Sequence, residues 1–146
     1  MSLCRPVILA MLICSGMAHA QQPAPPGMSL AEAASRRFPQ AVRVGDLVQR
    51  EVLQPIESQP RLGRVREVVQ QADGTIDVVV EYGGLFGLFA RPIAVPVDAM
   101  VLLGEYMEIV DFTPKQLRHF KTFDGAGTTK LPGDSIIRVG LARPSH

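Results

Sequence analysis

Between Val42 and Val110 the apolar residues recur mostly at every second position, the period of a strand with one covered face. Ile76, Val78 and Val80 alternate with Asp77 and Glu81. Ile93, Val95 and Val97 alternate again, bracketed by Pro92 and Pro96, so this strand is short and near an edge. In Leu62 to Gln71, Val65 and Val69 share one parity and Val68 takes the other, which predicts a twisted strand or a bulge. Asp46 to Leu53 mixes Val48 and Val52 with Arg50 and Glu51 and reads as a further strand. Asp73-Gly74 signals a two-residue hairpin turn, because glycine accepts positive φ. Val101 to Leu103 and Tyr106 to Val110 form a close pair around Gly104-Glu105.

Two short helices flank this region. Ser29 and Glu32 have capping-box spacing, predicting a helix over Leu30 to Arg37 that stops near Phe38-Pro39. Its apolar side is mostly Ala, so it docks weakly. Thr113 is placed as an N-cap, Pro114 at N1 and Gln116 at N3, with Phe112 and Leu117 at the staple positions. This predicts a helix over Pro114 to Phe120. Asp124 to Gly133 is a Gly/Thr/Pro-rich loop, Ser135 to Val139 is one more strand candidate, and the chain from Leu141 reads as a mobile end. The elements together indicate a mainly β fold: a small antiparallel β-barrel with short flanking helices. Aromatics are only 5% of the 146 residues, so Val, Ile and Leu must fill its core.

The first twenty residues follow another pattern. Arg5, the apolar run Pro6 to Ile13, and Ala18-His19-Ala20 have the layout of a secretory signal peptide cleaved after Ala20. The run is shorter than the roughly 20 residues that span a bilayer. The organisation expected is therefore a signal at 1–20, a Pro-rich tether and short helix at 21–40, a barrel domain with its capped helix at 41–121, and a loop-rich tail at 122–146. The exported chain is expected in a periplasm or outside the cell. Both cysteines, Cys4 and Cys14, leave with the signal, which removes disulfides and thiolate chemistry. Net charge is +1, which gives no basic stripe for nucleic acid.

Candidate chemistry is sparse. His119 and His146 are the only histidines after Ala20, too few for a zinc site without a folded-back tail. Ser58 and Ser135 lack the context of an activated nucleophile. Glu105, Glu108 and Asp111 cluster in sequence, but Glu105 and Glu108 point to opposite faces of a strand. Asp73 to Asp77 lacks the remaining ligands of a calcium loop. Arg61, Arg64 and Arg66 have Glu57 and Glu67 nearby for cross-strand pairing. One stretch stands out: Gly83, Gly84, Leu85, Phe86, Gly87, Leu88 and Phe89, followed by Arg91. It either plugs a barrel end or is an exposed apolar patch that docks a partner, with Arg91 as a polar anchor at its rim.

The order Val44-Gly45-Asp46-Leu47-Val48, Gly63-Arg64-Val65-Arg66-Glu67-Val68-Val69, Asp73-Gly74, Tyr82-Gly83-Gly84-Leu85-Phe86-Gly87 and Arg91-Pro92-Ile93-Ala94-Val95-Pro96 resembles the PRC-barrel family over roughly Val42 to Phe120. Members include the cytoplasmic part of the photosynthetic reaction-centre H subunit and the C-terminal domain of a ribosome-maturation factor. The chain looks most like the small exported stand-alone members. The resemblance implies a compact barrel acting as an adaptor through protein contacts, with no shared catalytic residue and no cofactor. The expectation is thus a non-enzymatic exported module that binds an envelope protein or a second copy of itself, with at most peripheral membrane contact. Gly83, Gly84, Leu85, Phe86, Gly87, Phe89 and Arg91 are the candidate contact residues. The alternative is a small-molecule or peptide binder using an open barrel mouth.

Overall fold

The computed structural model describes residues 27–85 and 88–142. The expected signal, its expected cleavage site and most of the Pro-rich stretch lie outside the described residues, as do Phe86, Gly87 and residues 143–146. In chain order the elements are α1 (Leu30–Ser35), β1 (Gln40–Arg43), α2 (Val44–Leu47), β2 (Glu51–Leu53), β3 (Arg61–Gln71), β4 (Ile76–Tyr82), β5 (Arg91–Pro96), a 3-10 turn (Val97–Ala99), β6 (Met100–Leu103), β7 (Tyr106–Ile109), α3 (Pro114–Arg118), β8 (Thr128–Lys130) and β9 (Ile136–Leu141). Among the described residues, no helix is long and apolar enough to cross a membrane.

The fold is mainly β, as the alternation predicts. The strands join in the order β1-β9-β6-β7-β2-β3-β4-β5, with β8 also paired to β3. Two features depart from an antiparallel barrel. β2 pairs β7 in parallel, and β6 pairs β9 in parallel. The path also ends at β1 and β5, which do not pair with each other, so the sheet is mixed and not closed. Alternation fixes which face of a strand is covered but carries no information on direction, so parallel neighbours leave no trace in the pattern.

One face gathers the core: Val52, Val65, Val68, Val78, Val80, Ile93, Val95, Met107 and Ile109, all with no exposed surface, with Leu117 of α3 laid over them. The expected bulge falls between Val65 and Glu67. Val65 pairs Val80 and Glu67 pairs Val79, so Arg66 has no opposite number. The extra residue resets the parity and lets both Val65 and Val68 face the core. β4 is covered on both faces rather than one. Val79 is fully buried, and Asp77 is buried with its carboxylate accepting from the Gln71 side-chain amide at 2.5 Å.

The reading of Asp46 to Leu53 as one strand needs correcting. Val44–Leu47 forms a helical turn, and only Glu51–Leu53 is a strand. The Val44 and Gly45 amides donate to the carbonyls of Ser135 and Gly133, at 2.9 and 2.8 Å. Val44 and Leu47 thereby enter the core, a case of tertiary contacts overriding local pattern. Within 122–142 the tail carries two strands, one of them over the strand candidate Ser135 to Val139. β8 and β9 are sheet strands, and β9 lies between β1 and β6. Its own alternation explains why: Ile137 and Val139 are buried, while Ile136 and Arg138 face outward. Both capping boxes are present. α1 buries little more than Ala33, yet it is held by Arg37. That guanidinium forms a two-pronged pair with Asp111, both contacts at 2.8 Å, and donates to the Asp98 carbonyl.

Candidate functional site

The stretch after β4 is a narrow hairpin that projects from the sheet. The Gly83 amide donates to the Leu62 carbonyl at 2.9 Å, carrying the β3–β4 ladder one step further. Gly83 and Gly84 then take φ of +75° and +78°, which turns the chain outward. Leu85 and Leu88 exchange both backbone hydrogen bonds, each 2.9 Å, so the two arms of the hairpin are joined there. A Cβ on Gly84 would stand 2.5 Å from the Leu88 carbonyl oxygen and 2.8 Å from the Ala90 nitrogen. Only glycine lets the two arms approach this closely.

The described apolar side chains of this hairpin, Leu85, Leu88 and Phe89, do not plug the sheet. Leu85 is 70% exposed, Leu88 63% and Phe89 95%. Phe89 also holds φ of +63°, a conformation unfavourable for a residue with a Cβ. Phe86, named with them as a contact candidate, and Gly87 lie outside the described residues. Gly83, Gly84, Leu85 and Phe89 share one exposed projection.

Arg91 is not part of that rim. Its guanidinium turns to α3 and donates to the carbonyls of Phe120, Leu117 and Arg118 at 2.6, 3.1 and 2.8 Å. These are the free acceptors at a helix C-terminus, where a cation is favoured. Arg91 also stands over the Tyr82 ring at 5.9 Å, and the Tyr82 hydroxyl donates to the Pro114 carbonyl. Phe112 and Phe120 meet edge to face at 5.0 Å on either side of α3. Arg91 therefore seats α3 on the sheet and fixes the base of the hairpin.

Beside the hairpin runs an open surface groove of about 350 Å³, lined among others by Arg61, Leu62, Arg64, Glu81, Gly84 and Leu85. Arg61 and Arg64 both lean on Glu51, at 3.3 and 3.7 Å, and Arg64 Nε is buried without a hydrogen-bond partner. The expected pairing of this basic cluster is thus across strands, but its main partner is Glu51 on β2, directly opposite Arg64 in register. Glu67 instead lies near Arg66 and Lys130, at 3.8 and 3.5 Å.

The remaining candidates disperse. His119 caps α3 and is exposed. Glu105 lies in an exposed turn, while Asp111 is taken by Arg37. Glu108 is buried on β7, and burial raises its carboxyl above the ordinary range, partly offset by the Gln59 side chain. Asp73 accepts from the Thr75 hydroxyl and amide, which lowers its pKa. Among the described residues, no three His, Cys, Asp or Glu side chains converge into a metal-binding group. No protein-family model matches the sequence, and neither does any curated protein.

Proposed function

We propose that this chain is an exported, non-enzymatic binding module of PRC-barrel type that docks a protein partner of the cell envelope. The carrying observation is the projecting hairpin: Leu85, Leu88 and Phe89 stand in solvent, and Leu85 and Leu88 are tied to each other by two backbone hydrogen bonds. Exposed large apolar side chains grouped on one element mark contact surfaces. A hairpin already closed by its own hydrogen bonds has less conformational freedom to lose when it docks. The groove alongside, with Arg61, Arg64 and Glu81, supplies charged groups at the rim of the same surface.

A small-molecule site has less support. Volumes of about 300 Å³ and more suit ligands when the pocket is concave and mostly enclosed. The groove beside the hairpin is open, and the core face of the sheet is filled by packed Val, Ile, Leu and Met. Replacing Phe89 with a photoreactive residue in intact cells tests the docking reading. A single envelope protein cross-linked reproducibly is the expected result. Capture of nothing above background from both Phe89 and Leu88 positions would reject it.

A further inference from the structure

The two ends of the sheet are treated differently by the sequence. At β5, the Pro92 carbonyl accepts from the Phe123 amide at 2.8 Å, so Pro92 points away from β4. By alternation, Ala94 and Pro96 point outward with it. Two of these three outward positions lack an N–H, and one carbonyl is already occupied. That edge refuses another strand. Among the described residues, β1 has no such block. The Val44 amide donates to Ser135 in the register that pairs Gln40 with Val139 and Val42 with Ile137. Gln40 and Val42 therefore face β9, and Ala41 and Arg43 turn their N–H and C=O groups outward. Gln40, Ala41 and Arg43 are exposed. An open groove of about 700 Å³ runs beside them, lined in part by Ala41, Arg43, Asp46, Ile136 and Leu141. Phe38 at the strand's start is 67% exposed, and Ile136 beside its end is 59% exposed.

We propose that β1 pairs antiparallel with β1 of a second copy of this chain, joining the two sheets across a twofold axis at Val42. The register follows from the outward groups. Ala41 and Arg43 can form hydrogen-bonded pairs only if each Ala41 lies opposite the other copy's Arg43, which sets Val42 against itself. An isologous interface needs this kind of self-match. The two Arg43 side chains are then not directly opposed, and Asp46 in the same groove brings a carboxylate to each. Apolar Phe38 and Ile136 sit at opposite ends of the strand, so the antiparallel arrangement brings the Phe38 end of one copy toward the Ile136 end of the other. This surface is separate from the hairpin, so the inference stands or falls independently of the docking function.

In the test, the full chain carries Cys4→Ala, Cys14→Ala and Val42→Cys and is mildly oxidised. Non-hydrogen-bonded antiparallel pairs hold their Cα atoms about 4.5 Å apart, within disulfide reach. A disulfide-linked dimer is expected for Val42→Cys and not for Gln40→Cys. Ala41→Pro, which deletes an outward N–H but no bond to β9, should abolish the cross-link while circular dichroism is unchanged. In sedimentation equilibrium the unmodified chain should show twice the monomer mass, and Ala41→Pro half of that. The sedimentation result needs no cysteine variant to fold. A monomeric unmodified chain overturns the proposal, and so does cross-linking through Phe89→Cys in place of Val42→Cys.

Discussion

β4 is bounded by two reversals of the chain that obey opposite rules. At its start, Gly74 with φ of +89° follows a turn closed by its amide to the Gln71 carbonyl. Gln71 and Thr75 flank three loop residues, Ala72, Asp73 and Gly74, one more than the two-residue turn expected from Asp73-Gly74. Everything there is polar or small, and Asp73 binds Thr75. At its end, the chain places Leu85, Leu88 and Phe89 in water, with Phe89 in a left-handed conformation. The first reversal needs no explanation beyond folding. The second holds strain and exposed apolar surface that folding does not require, and such departures concentrate where a protein does something else.

Substitutions separate the two. Gly84→Ala should cost the most, about 3 kcal/mol, because a left-handed φ and a backbone clash add together. Gly74→Ala meets open space and should cost only about 1 kcal/mol, its conformational share. Equal losses in chemical denaturation would erase the distinction. Phe89→Gly should raise stability by up to about 1 kcal/mol, since it releases the strained φ without uncovering a core. The same change should abolish partner capture. Leu88→Ser should leave stability within about 0.5 kcal/mol while weakening capture, the signature of an exposed contact residue. Asp73→Ala gives the smallest, pH-dependent effect. Its hydrogen bonds favour the ionised form in the folded state, so that stabilisation is present above the ordinary aspartate range. The loss on substitution should therefore be visible near neutrality and vanish as acid titrates Asp73, measured by thermal unfolding across pH.

Much of this was legible from residue order. The capping boxes at Ser29 and Thr113 depend on contacts three residues apart, so short-range spacing reveals them. The hairpin at Gly104-Glu105 and the bulge near Val65 follow from parity in the same way. What stayed hidden depends on partners distant in sequence. The α2 turn exists because Gly133 and Ser135 meet its amides. Arg91 looked like a rim charge because its three acceptors belong to a helix end some thirty positions on. The Gly83 to Phe89 stretch stands out by its composition, but composition does not say whether its apolar groups are covered; the folded chain leaves Leu85, Leu88 and Phe89 exposed.

The placement of β9 bears on the order in which the molecule assembles. Among the described residues β1 has one strand neighbour, β9, which follows every other described strand in the chain. The bond from Arg138 to the Pro39 carbonyl spans 99 positions. The parallel seat of β9 on β6 is equally non-local. Such long closures must be completed before they return any free energy, which slows folding. An emerging chain can zip β3 to β4 and β6 to β7 early, but β1 waits for β9 to emerge. A chain built this way keeps one edge of its sheet open until β9 has been made, so its fold closes late rather than strand by strand.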